Sequence, residues 1–118
     1  MDNKEFSGEL EKRTRKFAVR IIKLSAKLPN TPEARVIRTQ ITKAGSSIGA
    51  NYREANRARS KADFRNKIKI CEGEANETQL WLEVITEAGW LSSEEVKSDY
   101  EESGELLALF TSIGKGAL

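Results

Sequence analysis

Apolar residues recur along this chain at alternating steps of three and four, the spacing that keeps side chains on one side of an α-helix. The first run is Leu10, Thr14, Phe17, Ile21, Leu24 and Leu28. Pro29 ends it, because a proline disfavours the α conformation of the residue before it. Thr31 followed by Pro32 supplies an N-cap and a first-turn proline for a second run, Ile37, Ile41, Ala44, Ile48, Tyr52 and Ala55. Polar residues from Arg57 to Ser60 interrupt that face, and Ser60 with Asp63 three residues later resembles a capping box. The third run, Phe64, Ile68, Cys71, Ala75, Thr78, Leu82 and Ile85, reaches Gly89 without a break in period. Ser92 with Glu95 at N3 opens the last run, whose expected buried face is Val96, Tyr100, Ser103, Leu107 and Phe110.

The pattern predicts helices at about 8–28, 32–59, 61–89 and 93–113. Joints of a few residues turn successive rods back on each other, so the expected fold is all-α: an up-down-up-down antiparallel four-helix bundle occupying residues 1–118 as one domain. Ile22, Ile70, Leu80, Trp81, Val84, Leu106, Leu109 and Ile113 lie beside these stripes. That is more apolar surface than one inward stripe per helix needs, and it predicts self-association into a homo-oligomer.

Composition narrows the chemistry. The 118 residues contain no histidine and one cysteine, Cys71. An intrachain disulfide, a Cys/His zinc site and a Ser-His or Cys-His catalytic pair are therefore excluded. Glu72, Glu74, Glu77 and Glu83 on the third helix leave only an all-carboxylate metal site as a route to enzyme chemistry, since the Glu-x-x-His element of di-metal bundles has no histidine here. The expectation is a protein that is not an enzyme and has no cofactor. The opening Met1-Asp2-Asn3-Lys4-Glu5 lacks the apolar core of a secretory signal, and no apolar run spans a bilayer, so a cytoplasmic protein without membrane contact is expected.

A formal net charge of +2 conceals an asymmetry. Residues 1–69 hold 18 Lys/Arg against 7 Asp/Glu, a balance of +11, whereas residues 70–118 hold 2 against 11, a balance of −9. Basic helices can pair with acidic ones inside the bundle or across subunits. A surplus remains for an anionic partner. On the first helix Arg13, Lys16, Arg20, Lys23 and Lys27 form a cationic stripe, and Arg53, Arg57, Arg59, Lys61 and Arg65 add to it around the second joint. These ten positions are candidate contacts to nucleic-acid phosphates, without base readout.

Gly45 and Gly49 stand inside the second helix, where each glycine costs about 1 kcal/mol relative to alanine. Close approach of another helix is the expected compensation. Asn51 and Glu54 follow, and an interhelical polar contact that sets register is favoured over general-base chemistry. Cys71 falls on the apolar seam as an inert buried thiol. Trp81 and Trp90, off the main stripes, suggest a second buried contact.

The run Ser47-Ile48-Gly49-Ala50-Asn51-Tyr52-Arg53-Glu54-Ala55, followed by Ser60-Lys61-Ala62-Asp63-Phe64 and Glu74-Ala75-Asn76-Glu77 with Trp81-Leu82, resembles the bacterial four-helix-bundle proteins related to those encoded in 23S ribosomal RNA intervening sequences. Many members carry proline at the position of Gly49 and glycine at that of Ala55. The resemblance implies a non-enzymatic, ring-shaped homopentamer. A related branch of the family that the chain resembles, the accessory variability protein of diversity-generating retroelements, is a basic pentamer that binds a reverse transcriptase and nucleic acid. By the same resemblance Ser47, Ile48, Ala50, Asn51 and Glu54 are architectural rather than catalytic. The combined expectation is a homo-oligomeric accessory that binds RNA, DNA or a nucleic-acid enzyme such as a reverse transcriptase. The alternative is a protein-only scaffold whose basic half faces acidic surfaces of subunits or a partner.

Overall fold

The computed structural model describes residues 3–116, which form four helices: α1 (Asn3–Ser25), α2 (Pro32–Ala55), α3 (Lys61–Glu87) and α4 (Ser93–Gly114). Met1, Asp2, Ala117 and Leu118 lie outside the described residues. Among the described residues there is no strand, and no helix is long and apolar enough to cross a membrane. The helices pack into a rod of 44 × 24 × 20 Å, about the length that a 27-residue helix reaches at 1.5 Å per residue.

Helices α2, α3 and α4 each start where a side-chain hydroxyl replaces the missing intrahelical acceptor. The Thr31 hydroxyl accepts from the Ala34 amide at 3.1 Å, with Pro32 in the first turn. The Ser60 hydroxyl accepts from the Asp63 amide at 3.0 Å. Only Ser92 closes a reciprocal box, in which the Glu95 amide donates to the Ser92 hydroxyl and the Ser92 amide donates to the Glu95 carboxylate. Asp63 does not complete its own, since its side chain is one methylene shorter than glutamate. The backbone bond from Ser92 holds the Glu95 carboxyl below the usual carboxylate range.

Helix ends depart from the periodicity in ways that local bonding explains. Helix α1 begins at Asn3, because Phe6 adds a turn at the four-residue spacing before Leu10 and packs against the core. It ends at Ser25, where the Lys27 and Leu28 amides switch to acceptors three residues back. Leu28 is still buried. Helix α2 stops at Ala55 in the same manner, with the Arg57 and Ala58 amides donating to Glu54 and Ala55. Helix α3 closes in a Schellman motif: the Trp90 amide donates to the Ile85 carbonyl, the Gly89 amide to Thr86, and Gly89 takes φ +76°.

The core is one continuous cluster running from Leu10 to Phe110. Every position of the α1 stripe is buried, as are the α2 and α3 stripes except at Ile37 and Phe64, which are half-buried at helix ends. On α4 the expected face needs correction: Leu106 is fully buried, whereas Leu107 and Tyr100 are only partly so. Leu106 lies three residues after Ser103 and four before Phe110, and Leu107 lies four after and three before. Spacing is therefore indifferent between them, and the direction from which α3 and α1 approach decides. Helix α2 lies against α1 and α3, and α3 against α4, while α4 meets α1 far more sparsely. Tyr52 and Phe110 meet across the centre with ring centroids 5.5 Å apart and planes tilted by 59°.

Val19, Ile22, Val36, Ile70 and Leu80 remain exposed, Val36 at 59% of its surface. Trp81 is half-buried against the core, and its indole N–H is buried with no acceptor among the described residues.

Candidate nucleic-acid interface

The glycine-containing stretch of α2 lies against α1. A Cβ placed on Gly45 would sit 2.8 Å from Ile21 Cγ2 and 2.9 Å from Ile21 Cβ. One on Gly49 would meet the Thr14 hydroxyl at 3.1 Å. Both glycines therefore mark a close helix-helix approach within the protomer. Ser47 and Asn51 bond to their own helix, the hydroxyl donating to the Lys43 carbonyl at 2.6 Å and the amide to the Ser47 carbonyl at 2.9 Å. The interhelical contact expected of Asn51 is thus not made. Glu54 does make one, pairing on the exposed surface with Lys67 of α3 at 3.2 Å. Ile48 is buried, Ala50 is exposed, and the Cys71 thiol donates to the Ile48 carbonyl at 3.5 Å. Burial pushes that thiol up to about 12, which keeps it protonated and unreactive.

The ten candidate cations separate into distinct environments. Arg13 is committed to α4: its Nε and Nη2 donate to the two oxygens of Glu102, each at 2.7 Å, and Nη2 reaches Glu105 at 3.1 Å. The hydrogen bond to Glu102 raises the Arg13 guanidinium pKa further. Arg20 donates to Asp99 at 2.7 Å and to the Ser98 hydroxyl at 2.9 Å, and its guanidinium lies 5.9 Å from the Phe17 ring centre. Both arginines of the α1 stripe thus join the acidic helix inside the protomer. Lys16, Lys23 and Lys27 form no ion pair among the described residues, although Lys27 contributes to the field at Glu95.

Arg53 is 3.6 Å from Glu11, and Arg57 donates to the Arg53 carbonyl at 3.1 Å. Both edge a cleft over Ala18, Ser46, Gly49 and Ala50 that also holds Glu11 and Glu54. Arg59, Lys61 and Arg65 converge elsewhere, on a cleft of about 510 Å³ at the α2–α3 corner. None of the three is ion-paired among the described residues. Arg53 and Arg57 thus border one cleft, and Arg59, Lys61 and Arg65 another.

Sequence reasoning missed Arg38. Its guanidinium donates to the Ser25, Leu28 and Pro29 carbonyls at 3.2, 2.8 and 3.1 Å, satisfying the C-terminal end of α1 from the next helix. An arginine early in the helix that follows a proline-marked joint was the available signal. Glu72 is held by the Thr111 hydroxyl at 2.7 Å and Glu83 by the Tyr100 hydroxyl at 2.7 Å, while burial and neighbouring Glu77 raise the Glu74 carboxyl. Among the described residues no group of three or more Cys, Asp or Glu side chains is placed to hold a metal ion.

No curated protein matches the chain. Among solved structures it is similar to a protein of unknown function from the S23 ribosomal protein family of Bacteroides thetaiotaomicron, at 40% identity and a TM-score of 0.85, covering 92% of this chain and 97% of that one. The family model for the 23S rRNA-intervening sequence protein matches residues 9–112, a span that takes in the α1 stripe, the Gly45–Ala55 packing segment and nearly all of α4. With the four helices and the motif run in place across that span, the chain belongs to the 23S rRNA-intervening sequence protein family.

Proposed function

We propose that this protein is a cytoplasmic, non-enzymatic, homo-oligomeric accessory that binds nucleic acid through unpaired cations, each protomer an up-down-up-down bundle in a pentameric ring. The observation that carries the reading is the cationic surplus left after internal pairing. Lys16, Lys23, Arg59, Lys61 and Arg65 make no ion pair among the described residues, although eleven carboxylates lie in the second part of the chain. Contacts such as Arg13 with Glu102, Arg20 with Asp99 and Lys67 with Glu54 support the alternating direction of the helices. Exposed Val19, Ile22, Val36, Ile70 and Leu80 support burial against further copies.

Gel-shift titration against random RNA and duplex DNA at several salt concentrations, with light scattering on the same sample, tests the reading. Expected is a particle larger than 13.2 kDa that shifts both polymers at low salt, with affinity falling linearly on a log-log salt axis. An intact oligomer that shifts neither supports the second reading, a protein-only scaffold. The observation favouring that scaffold is the α1–α4 seam, where basic residues already meet acidic ones at 2.7 Å.

A further inference from the structure

Four of the clefts on the surface of the described bundle differ in their chemistry. Three contain carboxylates: Glu83, Glu87, Glu94 and Glu101 between α3 and α4; Glu5, Glu9 and Glu102 between α1 and α4; and Glu11 and Glu54 between α1 and α2. The fourth, at the α2–α3 corner, has none in its lining among the described residues. Its rim carries Arg59, Lys61 and Arg65, and its floor is made by Phe64, Ile113, Ala55 at the end of α2 and Ala58 of the joint. Asp63, one residue before Phe64, is not part of the lining.

The local sequence explains the arrangement. Lys61 and Arg65 are four residues apart on α3 and so share a side of the helix, and Arg59 precedes them in the joint where α2 has already ended. Phe64 opens the α3 stripe, where the core tapers, so its ring is only half-buried and borders the cleft. An aromatic wall beneath a cationic rim complements a group that is planar and apolar on its faces and anionic at its edge. A nucleotide has that description: base-aromatic stacking is tolerant of sequence, and phosphates supply the charge. A duplex keeps its bases stacked on one another, so only an unpaired nucleotide offers a free face.

We infer that the corner cleft formed by Phe64, Arg59, Lys61 and Arg65 receives a single-stranded polynucleotide, one base lying against Phe64 and the flanking phosphates against the three cations. This rests on the nucleic-acid reading above and assigns its contact point. The polymer's sugar is not distinguished by these groups, so RNA and DNA strands are bound alike.

Fluorescence anisotropy of the full chain with labelled oligo(U), oligo(dT), a duplex of equal length and poly-glutamate tests the assignment. Arg59→Gln with Arg65→Gln, both on exposed side chains, is expected to weaken single-strand binding about tenfold and to lower the log-log salt slope by roughly 0.7 for each phosphate no longer neutralised. Phe64→Leu keeps apolar bulk in the floor. It is expected to weaken single strands about fivefold or more, leaving duplex binding and the salt slope unchanged. Thermal melting monitors its fold, and the arginine pair keeps the test decisive if Phe64→Leu loosens the bundle. Loss of binding on Lys16→Gln, Lys23→Gln and Lys27→Gln together, with the corner variants binding as the parent does, overturns the assignment and leaves the nucleic-acid reading standing. Poly-glutamate bound as tightly as oligo(U), with the same sensitivity to Phe64→Leu, overturns it in favour of an acidic peptide. A parent protein that binds no polynucleotide at low salt ends both readings.

Discussion

Helix α1 meets its two neighbours by different physics. Against α2 the contact depends on shape: Gly45 lies under Ile21 and Gly49 under Thr14, and the missing Cβ atoms let the helices approach. Against α4 the contact is sparse and charged, with Arg13 reaching Glu102 and Glu105 and Arg20 reaching Asp99. A shape contact in a dry core is indifferent to salt and intolerant of a methyl group. A charged contact at the rim tolerates changes in side-chain volume and responds to ionic strength. The same helix therefore has one neighbour held by close packing at its middle, with polar contacts from Arg53 to Glu11 and from Arg38 to the Ser25 carbonyl toward its ends, and another attached mainly by ion pairs.

The largest expected break in that contrast is Gly45→Val. Its Cβ would overlap the Cβ of fully buried Ile21, an atom that no rotamer change of Ile21 moves away, and a branched side chain adds two more atoms. A loss of about 3 kcal/mol is expected, the upper end of overpacking costs, with the same loss in low and high salt by urea denaturation. A variant as stable as the parent would mean that α2 does not approach α1 this closely.

Arg13→Met comes next. It removes a two-pronged bond to Glu102, a carboxylate with only 14% of its side chain exposed, while keeping most of the apolar stem. Destabilisation of about 1 kcal/mol in low salt is expected, shrinking in concentrated NaCl. A loss that salt leaves unchanged would place packing, not charge, at the α1–α4 seam.

The smallest effect has the opposite sign. Gly73 is exposed in mid-α3 and a Cβ there meets nothing within 4 Å, so Gly73→Ala is expected to raise stability by slightly less than about 1 kcal/mol, the helix-propensity gain alone. Measured beside Gly45→Val in thermal melts, it separates the intrinsic cost of glycine from the close approach that Gly45 permits.

Much of the fold is legible because burial obeys a period. The α1 stripe from Leu10 to Leu28 is buried at every position its spacing indicates, and Thr31, Ser60 and Ser92 are recognisable as oxygen acceptors before helix starts. Legibility fails where two positions satisfy the period equally, as Leu106 and Leu107 do, and where helix ends are decided by turn hydrogen bonds rather than by apolar residues. The candidate interface is legible in composition alone. An excess of cations is evident, but Arg13, Lys16 and Arg20 look equivalent along one face, and their separation depends on which carboxylates of α4 come within reach. Phe64 looks like one more core residue until its place at the end of the stripe leaves it bordering a cleft.

The linear order of residues sufficed for what local forces control: four helices, three of their starting caps, their apolar sides, and the absence of histidine chemistry. Period, capping and composition act within a few residues, so they survive without knowledge of the neighbours. Partnership did not. Which arginines are consumed by Glu102 and Asp99, which remain at the corner, and why Gly45 must lack a side chain depend on contacts between residues far apart in the chain. Those contacts exist only once helices have been packed, because charge pairing and steric exclusion fall off over a few ångströms and carry no signature in sequence distance.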